Sequence, residues 1–269
     1  MSLKIKSVVA LALSAAMLFP TAACGTSEAS NSGDSSDSSN TTTGYDVSTI
    51  KKDDELAKLV PSGDLVKDGE LSAGMELSYA PAEFYAEDGK TPVGYDIDMT
   101  KAIAKTLGLK PNIVSSMFDT IIPSIGSKYD LGITAMTITE ERMQSVDFVS
   151  YYRAGSTWAV KKGNPNKIDT SDLCGKKVAV QTATMQETEA NKIAKQCEAD
   201  GKDKLEVISS KLQTDVTTAV ASGKASIFYA DSTVSAYAIK QTGDTLETLG
   251  EDAGGVPEAV AIKKGDTKT

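Results

Sequence analysis

The chain has 269 residues, with 28 Lys and Arg against 37 Asp and Glu, a net charge of −9 and no histidine. That length can bury one or two substantial cores. The missing histidine excludes His-based triads, His zinc sites and the commonest general base, and no metal or cofactor is expected; the acidic balance argues against nucleic acid as a partner.

The N-terminus reads MSLKIK, then the apolar run SVVALALSAAMLF, then PTAACG. Positive charge, a run too short to span a bilayer and small residues, in that order, predict a secretory signal over residues 1–23. The stretch TAAC resembles a bacterial lipoprotein box, with Thr21 where such boxes usually carry leucine. The resemblance implies cleavage before Cys24, lipid on its sulfur and an extracytoplasmic chain anchored to the cell membrane. Loss of Lys4 and Lys6 takes the net charge from −9 to −11. Residues 24–46 carry almost no apolar side chains after the cysteine, and read as a disordered tether. An oxidising compartment permits disulfides. Cys174 and Cys197 are a candidate pair, bonded or else two free buried thiols.

From about residue 67, short apolar runs alternate with helix-like stretches. GELSAGMELSYA contains a strand, and PVGYDIDMTKAIAKTLGL has Ile97, Met99, Ile103 and Leu107 near helical spacing. KPNIVSS reads as a strand, FDTIIPSIGS as a short helix and YDLGITAM as a buried strand. That order implies a parallel βαβαβ sheet covered on both faces. A second set follows: KKVAVQTA, the helix TMQETEANKIAKQCEADG, KLEVISS, the helix QTDVTTAVASGK closed by Gly223, ASIFYA, and the helix STVSAYAIKQTG. Two such units suggest two lobes. AVKKGN at 159–164 and AIKKGD at 261–266 are nearly the same six residues. They are either matching strands that pass between the lobes or a coincidence of two apolar-basic strands.

Ligands of open α/β sheets bind beyond the carboxyl ends of strands, near helix N-termini. The stretch TAMTITEERMQSVDF, residues 134–148, is such a corner. Thr139 is a good N-cap with Glu140 and Glu141 in the first turn, yet Arg142 adds a cation at the positive end of the helix. Either Arg142 holds a ligand's carboxylate, with Thr137 beside it, or it pairs with Glu140 or Glu141. VAVQTATMQE repeats the geometry, with Thr182 or Thr184 free to cap or to reach an anion. Asp231 ends an apolar strand and either takes a cation or caps the next helix. Tyr79 and Phe118 stand at strand-to-helix junctions, as ligand walls or as core.

Three stretches, SYAPAEFYAEDGKTPVGYDIDMTKAIAKTLG, FDTIIPSIGSKYDLGITAMTITEERMQSVDFVSYYRAG and GKKVAVQTATMQE, resemble the polar amino-acid-binding proteins of ABC importers, bacterial extracellular solute-binding family 3, over about residues 70–266. The resemblance implies a two-lobe periplasmic-binding-protein-like α/β fold (type II), each lobe a mainly parallel sheet flanked by helices, joined by a two-strand hinge. The expected boundaries are lobe 1 at 67–158, hinge strand 1 at 159–164, lobe 2 at 165–256 and hinge strand 2 at 257–266. Relatives continue with helices packed on lobe 1, so the C-terminal part of lobe 1 is expected to be missing beyond GDTKT.

By that resemblance Arg142 holds the α-carboxylate, Thr137 supports it, the Ala135 carbonyl and Asp231 take the α-ammonium, and Tyr79 and Phe118 are aromatic walls. Glu76 lies where many relatives carry an aspartate facing the ligand side chain. The second-lobe anion turn, usually glycine followed by Ser or Thr, is here Ala183, Thr184, Met185, which puts more weight on Thr184. The implied role is capture of a polar amino acid, with a lean to cationic or amide side chains, by a monomer that delivers it to a membrane permease. The same fold serves as a ligand-sensing module, or as a cyclohexadienyl dehydratase with Glu83 or Glu76 as its acid.

Overall fold

The structure, a computed structural model, describes residues 44–60, 63–252 and 254–266. The expected signal segment, Cys24 and most of the expected tether lie outside the described residues. The last tether residues are seated on the folded body, well ahead of residue 67. Tyr45 N–H donates to Asp98 at 2.8 Å, and Asp46 caps a 3-10 turn, Val47–Thr49. Asp53 then caps helix α1 (Asp54–Ala57) by accepting from the N–H groups of Glu55 and Leu56.

The chain continues through β1 (Glu70–Met75), β2 (Ser78–Tyr79), β3 (Glu83–Tyr85), β4 (Pro92–Val93), α2 (Tyr95–Leu107), β5 (Lys110–Ser115), α3 (Phe118–Ser124), β6 (Leu131–Thr137), α4 (Glu140–Met143) and β7 (Val146–Ala154). The second half forms β8 (Ser156–Lys161), β9 (Lys177–Gln181), α5 (Met185–Ala199), β10 (Glu206–Ser210), α6 (Gln213–Ser222), β11 (Ile227–Asp231), α7 (Ser232–Gln241), β12 (Leu246–Leu249) and β13 (Val256–Lys263). Every helix and strand read from apolar spacing is present.

These elements build two five-stranded sheets, ordered β5-β1-β6-β13-β7 and β10-β9-β11-β8-β12, with β2, β3 and β4 as a small antiparallel sheet. In each large sheet four strands run one way and the fourth in order, β13 or β8, runs against them. The sheets are therefore mixed, mainly parallel by direction. The two near-identical segments are those reversed strands: β8 carries the first and β13 the second. Each ends in a turn whose glycine, Gly163 or Gly265, has φ +75. The echo marks equivalent places in two similar sheets.

Residues 159–164 do not form the outward hinge. They are the end of β8 and its turn, because pairing with β11 claims β8 from Ser156 opposite Asp231 onward. The chain crosses at Gly155 and returns between Leu249 and Val256. A Cβ on Gly155 would overlap the Asp252 carboxylate, and Arg153 Nη2 donates to Gly255 O at 2.5 Å, so the two crossings touch.

Side-chain alternation puts a core on both faces of each sheet. In the first lobe Ala73, Met75 and Ile133 pack on Ile97 and Ala104 of α2, while Met136 packs with Ile121 of α3 and Tyr129 on the other side. In the second, Val178 and Val180 meet Ala190 and Ala194 of α5, while Ala179 and Phe228 meet Val216 and Val220 of α6. Cys174 and Cys197 are bonded, tying the segment before β9 to the end of α5. Among the described residues no helix is long and apolar enough to cross a membrane.

Candidate functional site

The strand ends of both lobes meet at one small cavity. All of the expected site residues line it: Glu76, Tyr79, Phe118, Ala135, Thr137 and Arg142 from the first lobe, Thr184 and Asp231 from the second. Its volume is about 10 Å³, roughly room for one water.

On the first lobe, β6 is irregular where it reaches the cavity. Between the pairs Gly132–Ala261 and Met136–Ala259 it spends three residues where β13 spends one. Extra residues on one strand bulge out of the ladder. Ala135 lies in this bulge with φ +45, a conformation that costs a residue with a Cβ and needs outside support. Support comes from Asp96, whose Oδ2 accepts from Ala135 N–H at 2.8 Å. Next door, Thr134 Oγ1 donates to Glu83 Oε1 at 2.6 Å and accepts from Glu76 N–H at 3.1 Å. Asp96 reaches this point because the start of α2 is pressed on the segment before β3. Asp96 N–H donates to Ala82 O at 2.9 Å, and a Cβ on Gly94, at φ +124, would overlap that same carbonyl.

Arg142 does not pair with Glu140 or Glu141. Thr139 caps α4, its Oγ1 accepting from Arg142 N–H at 3.2 Å, and the guanidinium turns into the cleft over the Phe118 ring, 5.1 Å from its centre. There Nη1 donates to Thr137 O at 2.6 Å, and Nη2 crosses to the second lobe to donate to Ala183 O at 2.9 Å. Burial lowers its pKa, against the pull of Asp231, Tyr79 and Glu141. Its hydrogen bonds go to carbonyl oxygens and not to a carboxylate, so the guanidinium charge can still take an anion.

Asp231 ends β11 and precedes α7, but its side chain does not cap that helix. It turns inward, 3% exposed, with Oδ2 accepting from Tyr79 at 2.6 Å and Oδ1 from Gln186 Nε2 at 2.7 Å. Burial pushes its pKa up to about 6, opposed by the Tyr79 and Gln186 donors and by Arg142. The Tyr79 ring is part of the core and its hydroxyl reaches the cavity.

Thr184 is a helix cap. Its Oγ1 donates to Gln181 O at 2.7 Å and accepts from Glu187 N–H at 3.1 Å. What this turn offers an anion is therefore the positive end of the 15-residue α5 more than a free hydroxyl. Thr182 is used likewise, donating to Ser210 O at 3.2 Å.

Glu76, 2% exposed, receives Ser78 Oγ and Gln181 Nε2 on Oε2, both at 2.8 Å, and burial raises its pKa. It also walls a second space of about 670 Å³ between β2–β3 and helices α6 and α7.

Gln181, Gln186, Thr134, Asp96 and Glu258 carried no signal in the sequence reading, and Glu83 entered it only as the acid of an alternative enzyme. Glu258 is buried beside the Tyr95 hydroxyl at 3.4 Å, and burial, then Asp231 and Asp96, push its pKa up to about 8. A polar residue closing an apolar strand, as Gln181 closes KVAVQ, was the available clue.

The chain as a whole is similar to known proteins. The arginine-binding protein ArgT of Corynebacterium glutamicum is 33% identical over 199 residues, covering 73% of this chain and 65% of that protein. The L-cystine-binding protein TcyJ of Escherichia coli is 30% identical over 201 residues, covering 74% of this chain and 72% of that one. Among solved structures, an ancestral arginine-binding protein bound to arginine superposes with a TM-score of 0.69 at 36% identity, covering 74% of this chain and 87% of that chain. The chain thus spans just under two thirds of the length of the Corynebacterium relative. With a family model matching residues 71–268, the chain belongs to the bacterial extracellular solute-binding proteins, family 3.

Proposed function

We propose that this chain is the extracytoplasmic substrate-binding component of an ABC importer, which captures a polar amino acid between its lobes and delivers it to a membrane permease. One observation carries the reading. Arg142, from one lobe, and Asp231, from the other, line the same cavity, so a zwitterion can satisfy both only when the lobes close on it. Its carboxylate would meet Arg142 and the α5 N-terminus, its ammonium Asp231 and the Ala135 carbonyl, and its side chain would lie along Tyr79 and Phe118 toward Glu76. Thr137 would hold the guanidinium through its carbonyl. Ligand binding then favours the closed state through contacts that an open cleft does not offer. A cavity of about 10 Å³ admits such a ligand only as the lobes part.

Glu76 and the space beyond it favour a long cationic or amide side chain by Coulomb attraction. The similar proteins, binding proteins for arginine and for cystine, support a polar amino acid and capture without catalysis. Export by the segment 1–23, lipid attachment at Cys24 and action as a monomer complete the proposal. A thermal-shift screen against the common amino acids tests it. Saturable stabilisation by arginine, lysine, ornithine or glutamine is expected. A cooperative melt that no amino acid shifts would overturn the capture reading, and a preference for glutamate or aspartate would overturn the role of Glu76.

A further inference from the structure

At the cavity wall, which Glu83 helps to line, and just behind it lie two carboxyl groups that the proposed capture does not use. Glu83 and Asp96 are both 0% exposed. One oxygen of each is satisfied: Glu83 Oε1 by Thr134, Asp96 Oδ2 by Ala135 N–H. The other oxygens, Glu83 Oε2 and Asp96 Oδ1, are buried with no hydrogen-bond partner. Two carboxylates offer only acceptors, and buried acceptors without donors are costly. A single proton between them removes both deficits and one of the two buried charges.

The surroundings say which carboxyl keeps it. Burial pushes the Asp96 pKa up to about 6, but the Tyr151 hydroxyl, the Ala135 N–H and Glu83 oppose the rise and favour its ionised form. Glu83 is held well above the usual carboxyl range, first by burial and then by the charge of Asp96. The titratable groups facing the pair are Glu76 from the end of β1, Tyr95 from α2, Tyr151 from β7 and Glu258 from β13, all acids or phenols. Ionising both members would therefore add a second negative charge among acids.

We infer that Glu83 and Asp96 are positioning residues that share one proton, Glu83 as donor and Asp96 as acceptor, and that the single remaining charge holds the Ala135 peptide in its left-handed bulge. The inference about ligand affinity rests on the reading that the Ala135 carbonyl receives an ammonium group; the proton and its link to Ala135 do not. Asp96 grips the N–H of Ala135, so it fixes the peptide from behind while Ala135 faces the cavity. The pair also holds one negative charge close to where the ligand's ammonium would sit.

The pattern of amide substitutions is diagnostic. Glu83→Gln keeps an acceptor for Thr134 and replaces the shared proton by an N–H, so it mimics the pair as found. Asp96→Asn lets Glu83 lose its proton and accept from the new amide, but Ala135 N–H then bonds a neutral oxygen. The double variant leaves two amides that cannot satisfy each other, the Thr134 hydroxyl and the Ala135 N–H all at once.

The test reads the full chain by carbon NMR of its glutamate carboxyls, by the Ala135 amide proton shift, and by calorimetry with L-arginine as probe. The expected results are one glutamate still protonated at pH 7 and absent in E83Q, an Ala135 shift kept in E83Q and moved in D96N, and arginine affinity within about threefold of wild type for E83Q. D96N should weaken binding roughly fivefold, the difference between a charged and a neutral acceptor, and the double variant at least tenfold beyond the product of the two. An ionised Glu83 at pH 7, or E83Q as damaging as the double variant, would overturn the inference. If the wild type does not bind arginine, the proposed ligand fails, while both NMR readouts still decide the proton pair in the ligand-free chain.

Discussion

The Tyr79 hydroxyl donates to Asp231 Oδ2 at 2.6 Å, joining two residues 152 positions apart and on opposite lobes. The carboxylate is thereby held at the junction of the lobes, dry and supplied with two donors. The Gln181–Glu76 bond at 2.8 Å and the bond from Gln213 N–H to Ser78 Oγ at 2.9 Å bridge the same cleft. Closure is thus built from specific polar contacts around the cavity, and those contacts can exchange with a ligand's.

Asp231 titrates near the physiological range, which gives capture a pH dependence. Burial raises its pKa to about 6, and an ammonium binds the ionised form. The ionised fraction, and with it the affinity, therefore falls as pH drops through about 6. Calorimetry with L-arginine should show affinity about tenfold lower at pH 5 than at pH 7. Asp231→Asn should be weak at both and flatten the profile.

Arg142 is satisfied by two backbone carbonyls, at 2.6 and 2.9 Å. A ligand carboxylate adds a charged partner worth roughly 1.5–3 kcal/mol. Arg142→Ala should therefore lose at least about tenfold in amino-acid affinity while still melting cooperatively. An unchanged affinity would remove Arg142 from the site.

Glu258 makes the ligand-free protein less stable as pH rises. Its folded pKa, about 8, lies above the ordinary 4.5, so the native state binds more protons between those values. Its contribution is fully present below 4.5 and is lost as pH rises through about 8. Asp231, also raised, acts with the same sign over a lower window. Thermal melts should fall in midpoint from pH 5 to pH 8, and Glu258→Gln should reduce that fall.

The disulfide joins residues 23 apart in sequence. Closing a loop of that length is worth about 3 kcal/mol in the chain-entropy model. Replacing both cysteines by serine should lower the unfolding free energy by about that amount in denaturant melts. The bond lies at the opposite ends of β9 and α5 from the cavity, so affinity should stay within about twofold.

Both sheets were legible because their strands and helices obey simple periods: KVAVQ is apolar at every buried position but its last, Gln181, and the caps and Gly108 and Gly223 mark helix ends. The reversed strands were not, since β8 and β13 are local segments whose partners are set by the return of a distant chain. The hinge was misplaced for the same reason. Nothing in TWAVKK says that pairing begins at Ser156. Arg142 stood out as a cation at the wrong end of a helix. Thr184 looked like a ligand hydroxyl because capping and anion binding use the same residue types. Glu83 and Asp96 were invisible as a pair because each sits in a plausible solvent-facing pattern, and only the fold brings them together.

The central claim is that one ligand's carboxylate and ammonium bridge Arg142 and Asp231. Calorimetric titration with L-arginine and with agmatine, which lacks the carboxylate, tests it most directly. The account predicts saturable one-to-one binding of arginine and at least about tenfold weaker binding of agmatine. Equal affinity for the two, or no saturable binding of any zwitterionic amino acid, would contradict it.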